Sequence, residues 1–186
     1  MLSPEKIVDA TLAAIDENGI EGVSLRDVTN RLGVTPPALY DHFDGKDALL
    51  RAVADRMYRD LGAQLGAAGG TDLERAIRGF RAYAAMARAH PRRYGLLLRY
   101  PPPAVSVADS GSELASAGTA YDLGAGPVRD AITAGALPPA DLTLAPLVTW
   151  AMAHGIATLL VHGHFDDATA DRLVEEAIVV LFGSAT

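Results

Sequence analysis

The chain of 186 residues has no cysteine, which excludes disulfides and thiolate metal sites and is compatible with a reducing compartment. It is also poor in positive charge. Lys and Arg number 16 against 23 Asp and Glu, and the formal charge of −7 argues against a partner held through a broad basic stripe. The first sixty residues are acidic as well, with 7 Lys and Arg against 11 Asp and Glu. No basic segment followed by an apolar run opens the chain, so no signal peptide is expected. Strand-period alternation is missing too, which leaves an all-helical fold as the expectation. What is present is apolar: hydrophobic residues make up 49% of the chain, ample for a core and unlike a disordered tail. The length fits one mid-sized domain, or a small one joined to a larger one.

A single long run lacks charge. From Leu142 to Gly163 the chain could span a bilayer by length alone. It contains Pro146, Thr149, His154, Gly155, Thr158 and His162, and no basic cluster flanks it. A helix buried all round, or one in a dimer interface, has the same composition. That reading is preferred, with no membrane and a cytoplasmic location expected.

Glycine and proline punctuate the rest. A first helix is expected from Ser3, a cap with Pro4 behind it, to Asn18, with Gly19 at its end. Ser24 with Asp27 three residues on starts a second helix that Gly33 ends. Thr35 is placed to cap a third, very short helix through Tyr40, and Asp44 to cap a fourth. After the break at Gly66 to Asp72, helices are expected over Leu73 to Ala89 and Arg92 to Tyr100. One or two more, interrupted at "GAGP" (Gly124 to Pro127), fall between Ala104 and Pro139. Asp141 opens the long apolar helix. Thr169 to Phe182 forms the last, with Leu173, Ala177, Val180 and Leu181 opposite Asp171, Glu175 and Glu176.

Residues 24 to 42 have the layout of a helix-turn-helix, whose second helix presents its N-terminal residues to base edges in the major groove. Pro36 and Pro37 fit there, because first-turn N–H groups have no intrahelical partner in any case. Their rings can meet a thymine methyl but cannot make a bidentate hydrogen bond. Around them lie groups suited to phosphate: the Thr35 and Tyr40 hydroxyls, His42 and Lys46. Arg26 has the reach for a phosphate or a guanine edge.

The stretch "GIEGVSLRDVTNRLGVTPPALYDHFDGKDALLRAV" resembles the DNA-binding domain of the TetR family, the tetracycline-repressor-like regulators. The likeness lies in the Gly before the second helix, the "LGV" turn, "LYDHF" and the "K-x-x-L" that follows. It implies base contacts from Arg26, Pro36, Pro37 and Ala38. It implies phosphate contacts from Ser24, Thr35, Tyr40, His42 and Lys46, and a core position for Phe43. Asp41 departs from the pattern, since a carboxylate beside phosphates is unfavourable unless it accepts from a cytosine amino group. Thr29 stands where relatives usually have Ala.

The resemblance further implies a three-helix DNA-binding domain over 1–46 and a helical ligand-binding and dimerisation domain over 47–186. Within the latter, "WAMAHG" (Trp150 to Gly155) resembles a Trp-x-x-x-His-Gly signature found in part of the family. Trp150 and His154, four apart, share a helix face, and either core packing or ligand contact would suit them. The expected partners are a double-stranded DNA operator, a small apolar effector and a second copy of the chain. Tyr83, Met86, Tyr94, Trp150 and His154 are the candidate effector contacts, and the helices at Leu142–Gly163 and Thr169–Phe182 the candidate dimer interface. No cofactor and no catalysis are expected. Gly124-x-Gly126 follows no strand, and His162-x-His164 with Asp166 and Asp167 lacks a fixed third metal ligand.

Overall fold

Local signals place the first helices. In the computed structural model, which describes residues 2–67, 69–103 and 114–183, Ser3 caps α1 (Pro4–Gly22) by accepting from the Lys6 N–H. Gly19, at φ 73°, breaks the regular helix where expected, but helical structure resumes, so α1 runs to Gly22 as one kinked element. Ser24 caps α2 (Leu25–Leu32), which ends on Gly33 in the left-handed region at φ 65°. The short α3 (Pro36–Tyr40) follows, and then α4 (Lys46–Gly66).

Two expected caps are not used. Thr35 stands at the N-cap of α3, yet its side chain makes no capping hydrogen bond. At α4 the N-cap is Gly45 rather than Asp44. Gly45 adopts φ 96°, which a side chain would strain, and its N–H bonds the Phe43 carbonyl at 2.8 Å. That tight turn leaves Asp44 outside and exposed.

The remaining helices are α5 (Asp72–Ala89), α6 (Pro91–Arg99), α7 (Ala115–Thr133), α8 (Leu144–Val161) and α9 (Asp167–Phe182); the described residues form no strand. A capping box of Thr71 and Glu74 opens α5. The Asp141 carboxylate accepts from the N–H groups of Thr143 and Leu144 ahead of α8, and Asp166 caps α9. The expected interruption at "GAGP" does not occur: α7 runs through it with Pro127 inside and buried. A proline there removes one backbone bond and costs about 3 kcal/mol in an isolated helix. Here α4, α5 and α8 all pack against α7 and hold it. The part of that expectation on 104–113 lies outside the described residues.

Two apolar clusters fill the interior. One joins Ile7, Leu12 and Ile15 of α1 with Val28, Leu39, Leu49 and Leu50, and continues into Tyr94, Leu96 and Leu97 of α6. The other packs α5, the end of α7, α8 and α9 around Phe80, Ile156, Val174 and Phe182. The helix α6 therefore belongs to the same core as the N-terminal helices.

The long apolar helix α8 is long and apolar enough to cross a membrane by length and composition, and only 22% of it is buried within the chain. Pro146, Ala153, Ile156 and Ala157 face inward, while Leu144, Val148 and Leu159 are exposed. On α9 the inward positions are Ala170, Val174, Ala177, Ile178 and Phe182. Val180, on the apolar face opposite Asp171, Glu175 and Glu176, is 73% exposed. A patch of aliphatic side chains from both helices is thus exposed among the described residues.

Candidate nucleic-acid interface and effector cavity

Five residues are too few for a helix to be stable alone, so α3 depends on its anchor. That anchor is Leu39, the one buried residue of α3 and wholly inaccessible. With Leu39 inward, Thr35, Pro36 and Pro37 are exposed, Ala38 is half-buried and Tyr40 is 55% exposed. A groove between α2 and α3 is lined by Arg26, Asn30, Pro36 and Tyr40. Arg26 in this lining is exposed, as are Asp41 and His42, which follow α3 in the chain.

The other residues expected at DNA already have work in the free protein. The Ser24 hydroxyl donates to Asp27 Oδ2 at 2.6 Å while accepting from the Asp27 N–H. The Lys46 ammonium, half-buried at the start of α4, donates to the Glu21 carbonyl at 3.2 Å. Thr29 is buried and its hydroxyl donates to the Arg26 carbonyl at 2.9 Å, which accounts for a polar residue at that interior position.

One arrangement was not foreseen from the sequence. Arg92 of α6 donates to the carbonyls of Asp16 and Glu17 near the Gly19 kink. Its neighbour Arg93 pairs with the Asp16 carboxylate, and this hydrogen bond holds the Asp16 pKa below the usual carboxylate range. At the other end of α6, Arg99 donates to Asp47 Oδ1 at 2.7 Å and the Tyr100 hydroxyl donates to the same oxygen at 3.0 Å. So α6 grips the end of α1 and the beginning of α4. Three arginines in a ten-residue stretch were the only sequence signal, and their partners lie more than fifty positions away.

Behind α6 lies a cavity of about 70 Å³ among α4, α5, α7 and α8. Tyr83 and Trp150 line it; Tyr94, Met86 and His154 do not. Met86 packs against the N-terminal core cluster. Tyr94 is almost fully buried, and its hydroxyl donates to the His154 carbonyl at 3.0 Å. His154 stacks on Trp150, with centroids 4.6 Å apart and an interplanar angle of 22°, and its Nδ1 lies 2.5 Å from the Tyr83 hydroxyl. Burial lowers the His154 pKa and pushes that of Tyr83 well above 10.0. Both groups are therefore neutral at pH 7, and their contact is a hydrogen bond, not an ion pair.

The His162 and His164 rings stack at 6.2 Å, and His162 Nδ1 meets the Thr158 carbonyl. No group of three potential metal ligands forms among the described residues.

The N-terminal helices form a helix-turn-helix head on a helical bundle with a partly open apolar cavity, the layout expected of a one-component regulator. The sequence profile of bacterial regulatory proteins of the tetR family matches residues 7–53, and that of the tetracyclin repressor-like C-terminal domain matches residues 73–181. The chain belongs to this family of transcriptional regulators. A relative from Mycobacterium tuberculosis, described as an uncharacterized HTH-type transcriptional regulator, is 28% identical over 97% of this chain and 80% of its own length. The class A tetracycline repressor of Escherichia coli is 45% identical, but over 30% of this chain and 26% of that protein. Among solved structures, a Rhodococcus protein of unknown function superimposes with a TM-score of 0.82 at 27% identity, over 98% of this chain and 95% of that one. TetR from Acinetobacter baumannii in complex with minocycline shares the fold, with a TM-score of 0.70 at 18% identity over 98% of this chain and 95% of that one.

Proposed function

We propose that the protein is a cytoplasmic repressor that binds a palindromic operator as a dimer and is released by a small apolar effector. The observation that carries the DNA reading is the posture of α3, with Leu39 fully buried and Thr35, Pro36, Pro37 and Tyr40 turned outward. Pro36, Pro37, Ala38 and Arg26 would meet base edges. Ser24, Thr35, Tyr40, His42 and Lys46 would meet phosphates, Ser24 by exchanging its bond to Asp27.

The start of α4 supports this reading. Its N-cap is a glycine with no side chain to occupy the first N–H groups, so they can face an anion, with Lys46 alongside. Asp41, at the end of α3, would accept from a cytosine amino group or stand clear of the backbone.

Dimerisation would cover the aliphatic surface of α8 and α9, where Leu144, Val148 and Val180 are more than half exposed. A two-fold axis there gives an isologous interface and two recognition helices related by the same axis. Residues 1–46 would serve as the DNA-binding part and 47–186 as the part that senses and pairs. We further place the latter with family members that carry Trp-x-x-x-His-Gly.

Coupling follows from α6. Tyr94 on this helix rests on the backbone of His154, whose ring contacts both Tyr83 and Trp150 at the cavity wall. An effector that displaces those rings would shift α6, and through Arg92, Arg93 and Arg99 the ends of α1 and α4. By linkage, DNA would weaken effector binding by the same factor.

Selection of sites from randomised duplex DNA tests the assignment of α3. The wild type is expected to yield a palindrome, and Pro37→Arg a palindrome altered at one symmetric position toward guanine. An unchanged consensus would remove Pro37 from the base-reading set.

A further inference from the structure

Five of the chain's eleven aromatic residues, Tyr58, Phe80, Tyr83, Tyr121 and Trp150, line the small cavity behind α6. Among the described residues, no Asp, Glu, Lys, Arg or His joins them in its wall. Most polar groups at the wall are already satisfied. The Tyr58 hydroxyl donates to the Leu97 carbonyl, the Thr149 hydroxyl to the Ala145 carbonyl, and Tyr83 meets His154. Two lining residues, Trp150 and Tyr121, are only partly buried, and the indole N–H of one and the hydroxyl of the other make no hydrogen bond with any described residue. Burial raises the Tyr121 pKa, so that hydroxyl keeps its proton.

The void of about 70 Å³ is well below the several hundred typical of a pocket for a drug-sized ligand. Space can come from one side chain. Leu65, in the last turn of α4, lies against two glycines from different helices: a Cβ on Gly79 would sit 3.2 Å from Leu65 Cδ2, and one on Gly124 3.9 Å from Leu65 Cδ1. Leu65 is only partly buried and lines the same cavity, so it can swing outward without losing a fully buried position.

We propose that the effector is an uncharged, ring-bearing molecule with one hydrogen-bond acceptor, seated against Trp150 and Tyr121 in space that Leu65 now partly fills. This rests on the reading of the cavity as the effector site. Aromatic walls favour rings through stacked and edge-on contacts, and two unpartnered donors favour an acceptor. A carboxylate or phosphate would enter with no cation to meet it, a strongly unfavourable transfer unless the group neutralises.

Three probes of one skeleton separate these features: naphthalene, naphthyl methyl ketone and naphthoate. Binding to the full-length protein is measured by calorimetry at neutral pH. The emission of Trp150, the only tryptophan, reports whether the cavity is the site. The ketone is expected to bind at least about 30-fold more tightly than naphthoate, and several-fold more tightly than naphthalene, with Trp150 emission altered. Leu65→Ala should tighten ketone binding several-fold; if that variant does not fold, Leu65→Val should do so to a smaller degree.

Naphthoate bound as well as the ketone, with Trp150 perturbed, would overturn the assignment of ligand class and leave the cavity as an effector site. Naphthalene equal to the ketone would overturn the acceptor. Ketone affinity unchanged on truncating Leu65 would overturn the seat. Failure of all three probes to bind or to alter Trp150 would overturn this inference together with the cavity reading on which it rests.

Discussion

Replacing Lys46 by alanine separates electrostatic contact from structural support. In the free protein the ammonium makes one hydrogen bond at the surface, to the Glu21 carbonyl at 3.2 Å. Losing it should lower stability by less than about 1 kcal/mol, which in a chain of this size moves the melting temperature by at most about 2–4 °C. In a dimer on DNA the substitution removes one phosphate contact per subunit. The slope of log K against log salt should therefore become shallower by about 1.8, at about 0.9 per contact. Over a fourfold rise, from about 50 to about 200 mM salt, this equals a factor of about 12 in relative affinity. Fluorescence anisotropy of a labelled operator across that range, with thermal melts of both proteins, makes the measurement. Lys46→Ala should bind more weakly than the wild type at the lowest salt and approach it as salt rises. Parallel lines for two equally folded proteins would refute the phosphate role.

Other outcomes follow from single positions. Leu39→Ala deletes the one buried anchor of α3 and should cost about 2–5 kcal/mol, read as a lowered melting temperature together with loss of operator binding. Burial holds His154 below the usual imidazole pKa of 6.5, so on acidification the unfolded chain takes up this proton before the folded one. Its contribution to stability is then complete above about pH 6.5 and falls as pH drops from there toward the folded pKa. Denaturant titrations at pH 7.5 and 5.5 should show a smaller acid loss in His154→Asn than in the wild type; equal losses would mean that His154 is not desolvated. Val180→Glu places an unpaired carboxylate on the surface proposed for dimerisation. Sedimentation velocity should show monomer at micromolar concentration, and an intact dimer would move the interface elsewhere.

The parts of the fold legible in the sequence were those fixed by neighbouring residues. Ser3, Ser24 and Gly33 act within a few positions of the helix ends they control, and they stand where their chemistry suggested. Pro36 and Pro37 likewise fall in the first turn of α3. Where a distant element decides, the local signal misled. Pro127 should have interrupted α7, but the helix continues through it with other helices packed on several sides. Val180 shares an apolar stripe with Ala177 by composition, yet the chain buries Ala177 and leaves Val180 open, since periodicity cannot tell a core face from an interface. Asp44 is a better cap by residue type than Gly45, but the turn at Phe43 requires a positive φ one residue later.

The candidate sites divide in the same way. The outward set on α3 follows from one amphipathic turn anchored by Leu39. The cavity needs α4, α5, α7 and α8 to be brought together, so Tyr58, Leu65 and Tyr121 could not be picked out from sequence spacing. The grip of α6 on Asp16 and Asp47 depends on pairs that only the tertiary fold creates.

Hydroxyl-radical footprinting of the purified protein on DNA flanking its own gene tests the central claim most directly. Two recognition helices related by a two-fold axis should protect two symmetric half-sites whose centres lie about 34–36 Å apart, or a multiple of that, on one face of the duplex. A saturating uncharged ring ketone should erase both together. Absence of any protected segment, or one unsymmetric patch that the ligand leaves in place, would contradict the account.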